Sequence, residues 1–176
     1  MSLGTRESTI ASQQIFKGTV ISLRVDTVQL PNGVPARREV VEHNGGVVIV
    51  CQPERDKLIL IRQYRYPCDE ELLELPAGRI ELGEEPLAAA QREIIEETGY
   101  QAASWELMAK MYSAPGFCSE MLYLYQARDL AFVGKNLDYD ESIEVLIMPV
   151  AEAWALIRAG KVRDAKTIAG IGLLRG

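Results

Sequence analysis

Apolar and polar positions alternate with a period of two through much of the first half of the chain. Residues 19–30 alternate in this way and end at Pro31-Asn32-Gly33, a hairpin-type turn signal, so residues 38–42 are expected as the return strand. After Gly45-Gly46, residues 47–51 form a short continuous apolar run, the pattern of a strand buried on both faces. A turn at residues 53–56 leads to another apolar strand over 57–64, and a shorter one covers 71–75. The period then changes. Leu87, Ala90, Ile94 and, roughly, Ile95 trace a helical stripe. Pro86 suits the first turn of that helix, and Gly99 stands where a left-handed C-terminal cap is expected. Glu84 and Glu85 precede it, at the end where the helix dipole favours negative charge. Strands are predicted again over 107–112, 121–127 and 143–150. A helix over 151–159 closes at Gly160, and Asp164 caps a last helix running to Leu174. Many strands, one helix, more strands and then helices imply a mixed α/β sandwich of the α+β type, not a regular βαβ winding. Residues 1–42 read as an N-terminal antiparallel β arm, a candidate contact with a second subunit, and 43–176 as the main domain.

Composition changes this picture little. A chain of 176 residues fits one ordinary domain that needs no disulfide or structural metal. A net charge of −6 argues against a nucleic-acid surface. It leaves a phosphate substrate open, because a bound cation reverses the local field. Cys51, Cys68 and Cys118 are odd in number and form no CxxC pair, which speaks against a disulfide framework or a zinc site and fits reduced thiols in a cytoplasm. The first eleven residues lack the apolar core of a signal peptide, and no apolar run approaches the length of a membrane span.

The chemistry is concentrated in residues 78–100, GRIELGEEPLAAAQREIIEETGY. Glu93 and Glu97 are four apart and project from one face of the helix, with Glu96 flanking them. Like charges at that spacing destabilise an isolated helix. A hard divalent cation with oxygen ligands would offset the cost, and magnesium typically binds through one or two carboxylates, waters and substrate phosphates. A glutamate-rich face is more often simply solvated. Here, however, the ridge lies between a sharp loop at Pro76-Ala77-Gly78 and the stop at Gly99, with Arg92 inside the acidic run.

The arrangement of Gly78, five residues, Glu84, seven residues, Arg92-Glu93-Ile94, one residue, Glu96-Glu97, one residue, Gly99 resembles the Nudix box at every fixed position. Tyr100 stands where the pattern usually has an aliphatic residue. The resemblance implies the Nudix fold, a mixed sheet sandwiched between helices, and a hydrolase that cleaves a phosphate–phosphate bond with Mg²⁺, or Mn²⁺ in its place. It implies Glu93 and Glu97 as principal metal ligands, Glu96 as a further ligand or supporting catalytic carboxylate, and the Ala77 carbonyl facing a metal. Glu84 would bind metal or hold the loop, and Arg92 would orient its acidic neighbours.

Features outside the box resemble the ADP-ribose pyrophosphatases. Pro115 follows Gly99 by sixteen residues, although Pro-Gly is also a plain turn signal. Ile61-Arg62-Gln63-Tyr64-Arg65 leads into Glu74-Leu75-Pro76-Ala77-Gly78, which makes Arg65 a candidate for the substrate's phosphates, with Arg38 as a second of the same kind. The C-terminal part is similar too, and there the general base lies before the last strand. Glu141 matches that position, with Asp140 the alternate, while Glu144 would lie within the strand. Glu120 would contact ribose or metal. His43 reads as a polar strand-end residue, and Trp105 and Trp154 as core. The resemblance thus implies ADP-ribose or another nucleoside diphosphate sugar as substrate, AMP and ribose 5-phosphate as products, and a homodimer crossing through its N-terminal strands. Another Nudix specificity, such as GDP-mannose or a dinucleotide, and a non-hydrolysing ADP-ribose sensor are the rivals.

Overall fold

The computed structural model describes residues 5–134 and 142–174, which fall into two compact units. The first runs to Asn44 and also takes in Tyr112–Met121; the second comprises Gly45–Met111 and the chain from Leu122 onward.

In the first unit, β1 (Ser8–Lys17), β2 (Ser22–Gln29) and β3 (Pro35–Glu42) form an antiparallel sheet in that order. The β2–β3 hairpin follows from the alternation and its turn. Gly33 adopts φ 83°, a left-handed conformation that glycine takes at little steric cost, and its N–H donates to the Leu30 carbonyl at 2.8 Å. The alternation did not predict β1. Every residue of STIASQQIFK is exposed, so burial imposes no two-residue pattern on it. A segment from far along the chain joins this sheet at β3: Val41 N–H donates to the Phe117 carbonyl at 2.8 Å, and Ser119 N–H to the Val41 carbonyl at 2.9 Å.

The second unit holds β4 (Gly46–Cys51), β5 (Lys57–Arg65), a single 3-10 turn at Tyr66–Cys68, β6 (Glu70–Glu74), β7 (Ala77–Arg79), α1 (Pro86–Thr98), β8 (Tyr100–Tyr112), β9 (Met121–Phe132), β10 (Ile143–Pro149), α2 (Val150–Arg158) and α3 (Ala165–Leu173). The sheet order is β10-β5-β4-β9-β8, with β6 on β5 and β7 on β4. β4 runs antiparallel to β5 and β7 but parallel to β9, so the sheet is mixed. All six residues of β4 are buried, as its unbroken apolar run required. From Val47 on, its residues alternate between two cores, joined by those of β5. Val47, Ile49, Cys51 and Ile59 pack with Ala89, Ala90 and Ile94 of α1; Val48, Val50, Leu58 and Leu60 pack with Ala153 of α2 and Ile171 of α3. Helices on both faces therefore sandwich the sheet.

Local differences from the pattern have local reasons. Leu87, placed on the apolar stripe of α1, is 38% exposed, because the buried face is carried by Ala89, Ala90 and Ile94. β8 begins at Tyr100, well before residue 107, its half-exposed first residues giving little apolar signal. β7, read as loop, is a three-residue strand held by the partners Val47↔Gly78 and Val48↔Ala77. Trp105 packs on the first core and meets Tyr125 edge to face at 6.2 Å, while Trp154 packs on the second.

Candidate active site

Helix α1 brings the acidic residues together because its small Ala89 and Ala90 let it close on the sheet, while Gly99, at φ 78°, ends it immediately after the carboxylates. Glu97 is buried, at 3% exposure, and its Oε2 accepts a 2.9 Å hydrogen bond from the Ala77 N–H. The helix is thereby tied to β7. The carboxyl group of Glu93 lies directly over Gly78: a Cβ on that glycine would stand 1.8–2.3 Å from its atoms. Glycine is required here for close approach of a side chain to the backbone, not for an unusual φ.

Arg92 bridges three of the acids. Its Nη1 donates to Glu93 Oε1 and to Glu96 Oε2, both at 2.8 Å, and its Nε and Nη2 donate to Glu84 at 3.0 and 3.1 Å. Hydrogen bonding to Glu84, and then the charges of its other acidic neighbours, hold the guanidinium firmly protonated against its partial burial. Glu84 also accepts from the Glu81 N–H at 2.9 Å, stapling the loop around Gly83, and its hydrogen bond with Arg92 lowers its pKa from the ordinary carboxylate value. Three carboxylates (Glu84, Glu93, Glu96) share the one Arg92 guanidinium, a surplus of two negative charges, and Glu97 on the same helix adds another.

That surplus suits a hard divalent cation. Among the described residues no three metal-capable side chains form a finished cage. What stands there is a carboxylate in the space left by a glycine, beside a second, buried carboxylate fixed to the neighbouring backbone. Such a half-built oxygen site fits a cation that completes its shell with water and substrate oxygens.

Arg65 ends β5, and its Nε and Nη2 make two parallel 2.8 Å bonds to the carboxylate of Glu74 on β6. Its guanidinium also feels the charge of Glu97, so it lies within electrostatic reach of the acidic helix. Glu74 is 1% exposed. Burial would raise its pKa, but Arg65 and Lys166 together outweigh that and hold it below the ordinary value.

The remaining predicted residues lie in the first unit or outside the described residues. Arg38 is paired with Glu7, its Nε 3.0 Å and its Nη2 2.5 Å from the two carboxylate oxygens. Arg38 and Pro115 line one cavity of about 510 Å³ in company with Tyr112 and Phe117. Glu120 stands with Oε1 3.4 Å from Nδ1 of His43. Glu141 and Asp140 lie outside the described residues. Sequence reasoning assigned no role to Glu74 or Lys166, since neither belongs to the local motif, and it did not pair His43 with Glu120.

Comparison with known proteins shows the family to which the chain belongs. The model of the NUDIX domain matches residues 36–170, and that of the nucleoside diphosphate sugar hydrolase N-terminal domain matches residues 7–41. The chain belongs to the Nudix family. Within it, the chain is an ADP-ribose pyrophosphatase-like hydrolase. It is 40% identical to the ADP-ribose pyrophosphatase of Bacillus subtilis over 171 residues, covering 96% of this chain and 92% of the relative. It is 37% identical to the methanol dehydrogenase activator of Bacillus methanolicus, with the same shares covered. The GDP-mannose pyrophosphatase of Cronobacter sakazakii is 36% identical over 75% of this chain and 74% of its own. The crystal structure of an ADP compounds hydrolase superimposes with a TM-score of 0.87 at 25% identity, covering 99% of this chain and 95% of that one.

Proposed function

We propose that this protein hydrolyses the pyrophosphate bond of ADP-ribose, or of a related nucleoside diphosphate sugar, adding water to give a nucleoside monophosphate and a sugar phosphate, which for ADP-ribose are AMP and ribose 5-phosphate. The observation that carries this reading is the pair of carboxylates Glu93 and Glu97 set against the backbone of Gly78 and Ala77. Glu93, Glu97 and the Ala77 carbonyl would hold Mg²⁺, or Mn²⁺ in its place, with Glu96 as a further ligand or catalytic support. When bound, such a cation neutralises the pyrophosphate and acidifies a water.

The chain's own residues do the rest. Arg92 keeps Glu93 and Glu96 in place and Glu84 keeps the loop closed, so the ligands are oriented before substrate arrives. Arg65 offers a fixed guanidinium edge to the phosphates and to the charge that builds on the leaving phosphate. Glu141, with Asp140 the alternate, is assigned as the base that takes a proton from the attacking water. Arg38, Pro115 and Glu120 are assigned to substrate recognition by their sequence positions. The N-terminal strands are assigned to a homodimer contact, and the protein to the cytoplasm. Among the described residues no helix is long and apolar enough to cross a membrane.

The GDP-mannose pyrophosphatase relatives favour one second reading, hydrolysis of GDP-mannose. Phosphate release, coupled to a phosphatase, from ADP-ribose, GDP-mannose, diadenosine polyphosphates and nucleoside triphosphates, with and without Mg²⁺, separates the two. Mg²⁺-dependent preference for ADP-ribose is expected. Preference for another substrate would retain the acidic helix and discard the substrate assignment, while tight ADP-ribose binding without turnover would mean a sensor.

A further inference from the structure

Buried Glu74 holds two cations. Arg65 takes both carboxylate oxygens, and Lys166, from the first turn of α3, also donates its Nζ to Oε2. Lys166 is itself fixed, with Nζ 3.0 Å from Asp164 Oδ1, and its side chain is only 16% exposed. The same helix turn grips the next residue of β6's extension. Asp164 caps α3 by accepting from the Thr167 N–H at 2.9 Å and from the Thr167 hydroxyl at 2.5 Å, and that hydroxyl accepts from the Leu75 N–H at 2.8 Å. Four residues on from Lys166, a Cβ on Gly170 would come within 2.5 Å of Leu75 Cδ1. The start of α3 therefore clamps Glu74 and Leu75 by side chain, backbone and close packing.

The clamped pair sits immediately before Pro76-Ala77-Gly78, whose Ala77 N–H holds Glu97. On its other side it orients Arg65. With Nε and Nη2 committed to Glu74, Nη1 of Arg65 has no partner among the described residues, and the side chain keeps 38% of its surface exposed. A guanidinium held by one edge presents its remaining N–H groups in a fixed direction, the geometry that suits a phosphate oxygen. Without Lys166, Glu74 would keep a single cation and its carboxylate would be free to turn within the space the ammonium had filled.

We propose that Lys166 is a positioning residue for phosphate binding: through Glu74 it sets the direction of the Arg65 guanidinium. This rests on the reading above that Arg65 contacts the substrate's phosphates. An ammonium spent on the carboxylates of Glu74 and Asp164 acts on the substrate through the residue that Glu74 orients.

The test uses the full chain carrying Lys166→Met, Lys166→Arg, Arg65→Ala, or Arg65→Ala together with Lys166→Met. For each, steady-state hydrolysis of ADP-ribose in Mg²⁺ is measured alongside ADP-ribose binding in EDTA by calorimetry and the thermal midpoint. Lys166→Met is expected to lower kcat/KM and weaken binding by about tenfold, as loss of a hydrogen-bonded charge does, with Lys166→Arg restoring most of it. The double variant is expected to be no worse than Arg65→Ala alone, because the two act as one unit. A double variant that loses the product of the two single effects overturns the proposal, as does Lys166→Met with wild-type kinetics. If Arg65→Ala keeps full kcat/KM, the phosphate role of Arg65 fails separately, and any loss in Lys166→Met then arises elsewhere, which also overturns the proposal. Should Lys166→Met fail to fold, Lys166→Gln, which keeps an N–H donor without the charge, takes its place in the same cycle.

Discussion

Replacing Gly78 by alanine isolates the geometry of the acidic site from the stability of the fold. The added methyl would stand 1.8 Å from the Glu93 carboxyl carbon and 1.9 and 2.3 Å from its oxygens. The backbone of Gly78 is not in the left-handed region, so alanine meets no conformational strain there. What must move is the end of a flexible side chain, and moving it costs the fold little. The carboxylate, however, must withdraw by more than about 1 Å, and a misplacement of that size at a catalytic constellation costs roughly a hundredfold in rate. Its 2.8 Å bond to Arg92 would be disturbed with it. The expected result is a Gly78→Ala protein with a thermal midpoint close to that of the parent, Mg²⁺-dependent hydrolysis of ADP-ribose reduced about a hundredfold, and weaker Mn²⁺ binding by titration calorimetry. Combining it with Glu93→Gln should add little further loss, since both changes remove the same group. A variant that keeps kcat within a factor of about two and binds Mn²⁺ as the parent does would refute the reasoning, because the carboxylate would then not need to occupy the space beside Gly78.

Three further outcomes are expected. Glu97→Gln should remove most turnover while leaving the circular dichroism spectrum intact, since an amide oxygen can still accept from the Ala77 N–H; full activity would dismiss Glu97 as a metal ligand. Glu141→Gln should show a large fall in kcat at near-normal ADP-ribose affinity, and an unchanged rate would move the base to Asp140 or elsewhere. For Glu74, burial raises the pKa but Arg65 and Lys166 depress it further, so the folded value lies below that of the unfolded chain. Its ionised form therefore stabilises the fold fully above the unfolded value of about 4.3, and this contribution is lost as pH falls through the lower folded value. The thermal midpoint of the parent should exceed that of Glu74→Gln near neutrality, with the gap closing in acid; a gap that widened as pH fell would reverse the sign of the argument.

Burial explains which elements could be read from pattern. β4 is buried at every residue and α1 carries its capping glycine and its proline within its own sequence, so each announces itself locally. β1 is exposed throughout and is held by pairing with β2, which leaves no burial pattern in its own residues to read. Residues 112–121 are adjacent in sequence to strands of the second unit, yet they pair with Val41 of the first. Only a long-range hydrogen-bond partner decides such a placement.

The same division runs through the site. The loop–helix with Gly78, Glu84, Arg92, Glu93, Glu96 and Glu97 was determined by the sequence alone, because helical spacing places its carboxylates and the family resemblance names them. That the Glu93 carboxyl rests on Gly78, and that Glu97 is buried on the Ala77 N–H, required the packing of α1 on the sheet. Arg65 could be singled out as an arginine before the box, but its orientation comes from Glu74, which the β5–β6 register sets opposite Ile61 and which the Arg65 side chain reaches along the sheet, and from Lys166, which reaches Glu74 across 92 residues. Spacing along a helix is a local property, so sequence carries it. Which side chains meet across a sheet edge and a helix start depends on register and packing, which exist only in the folded chain.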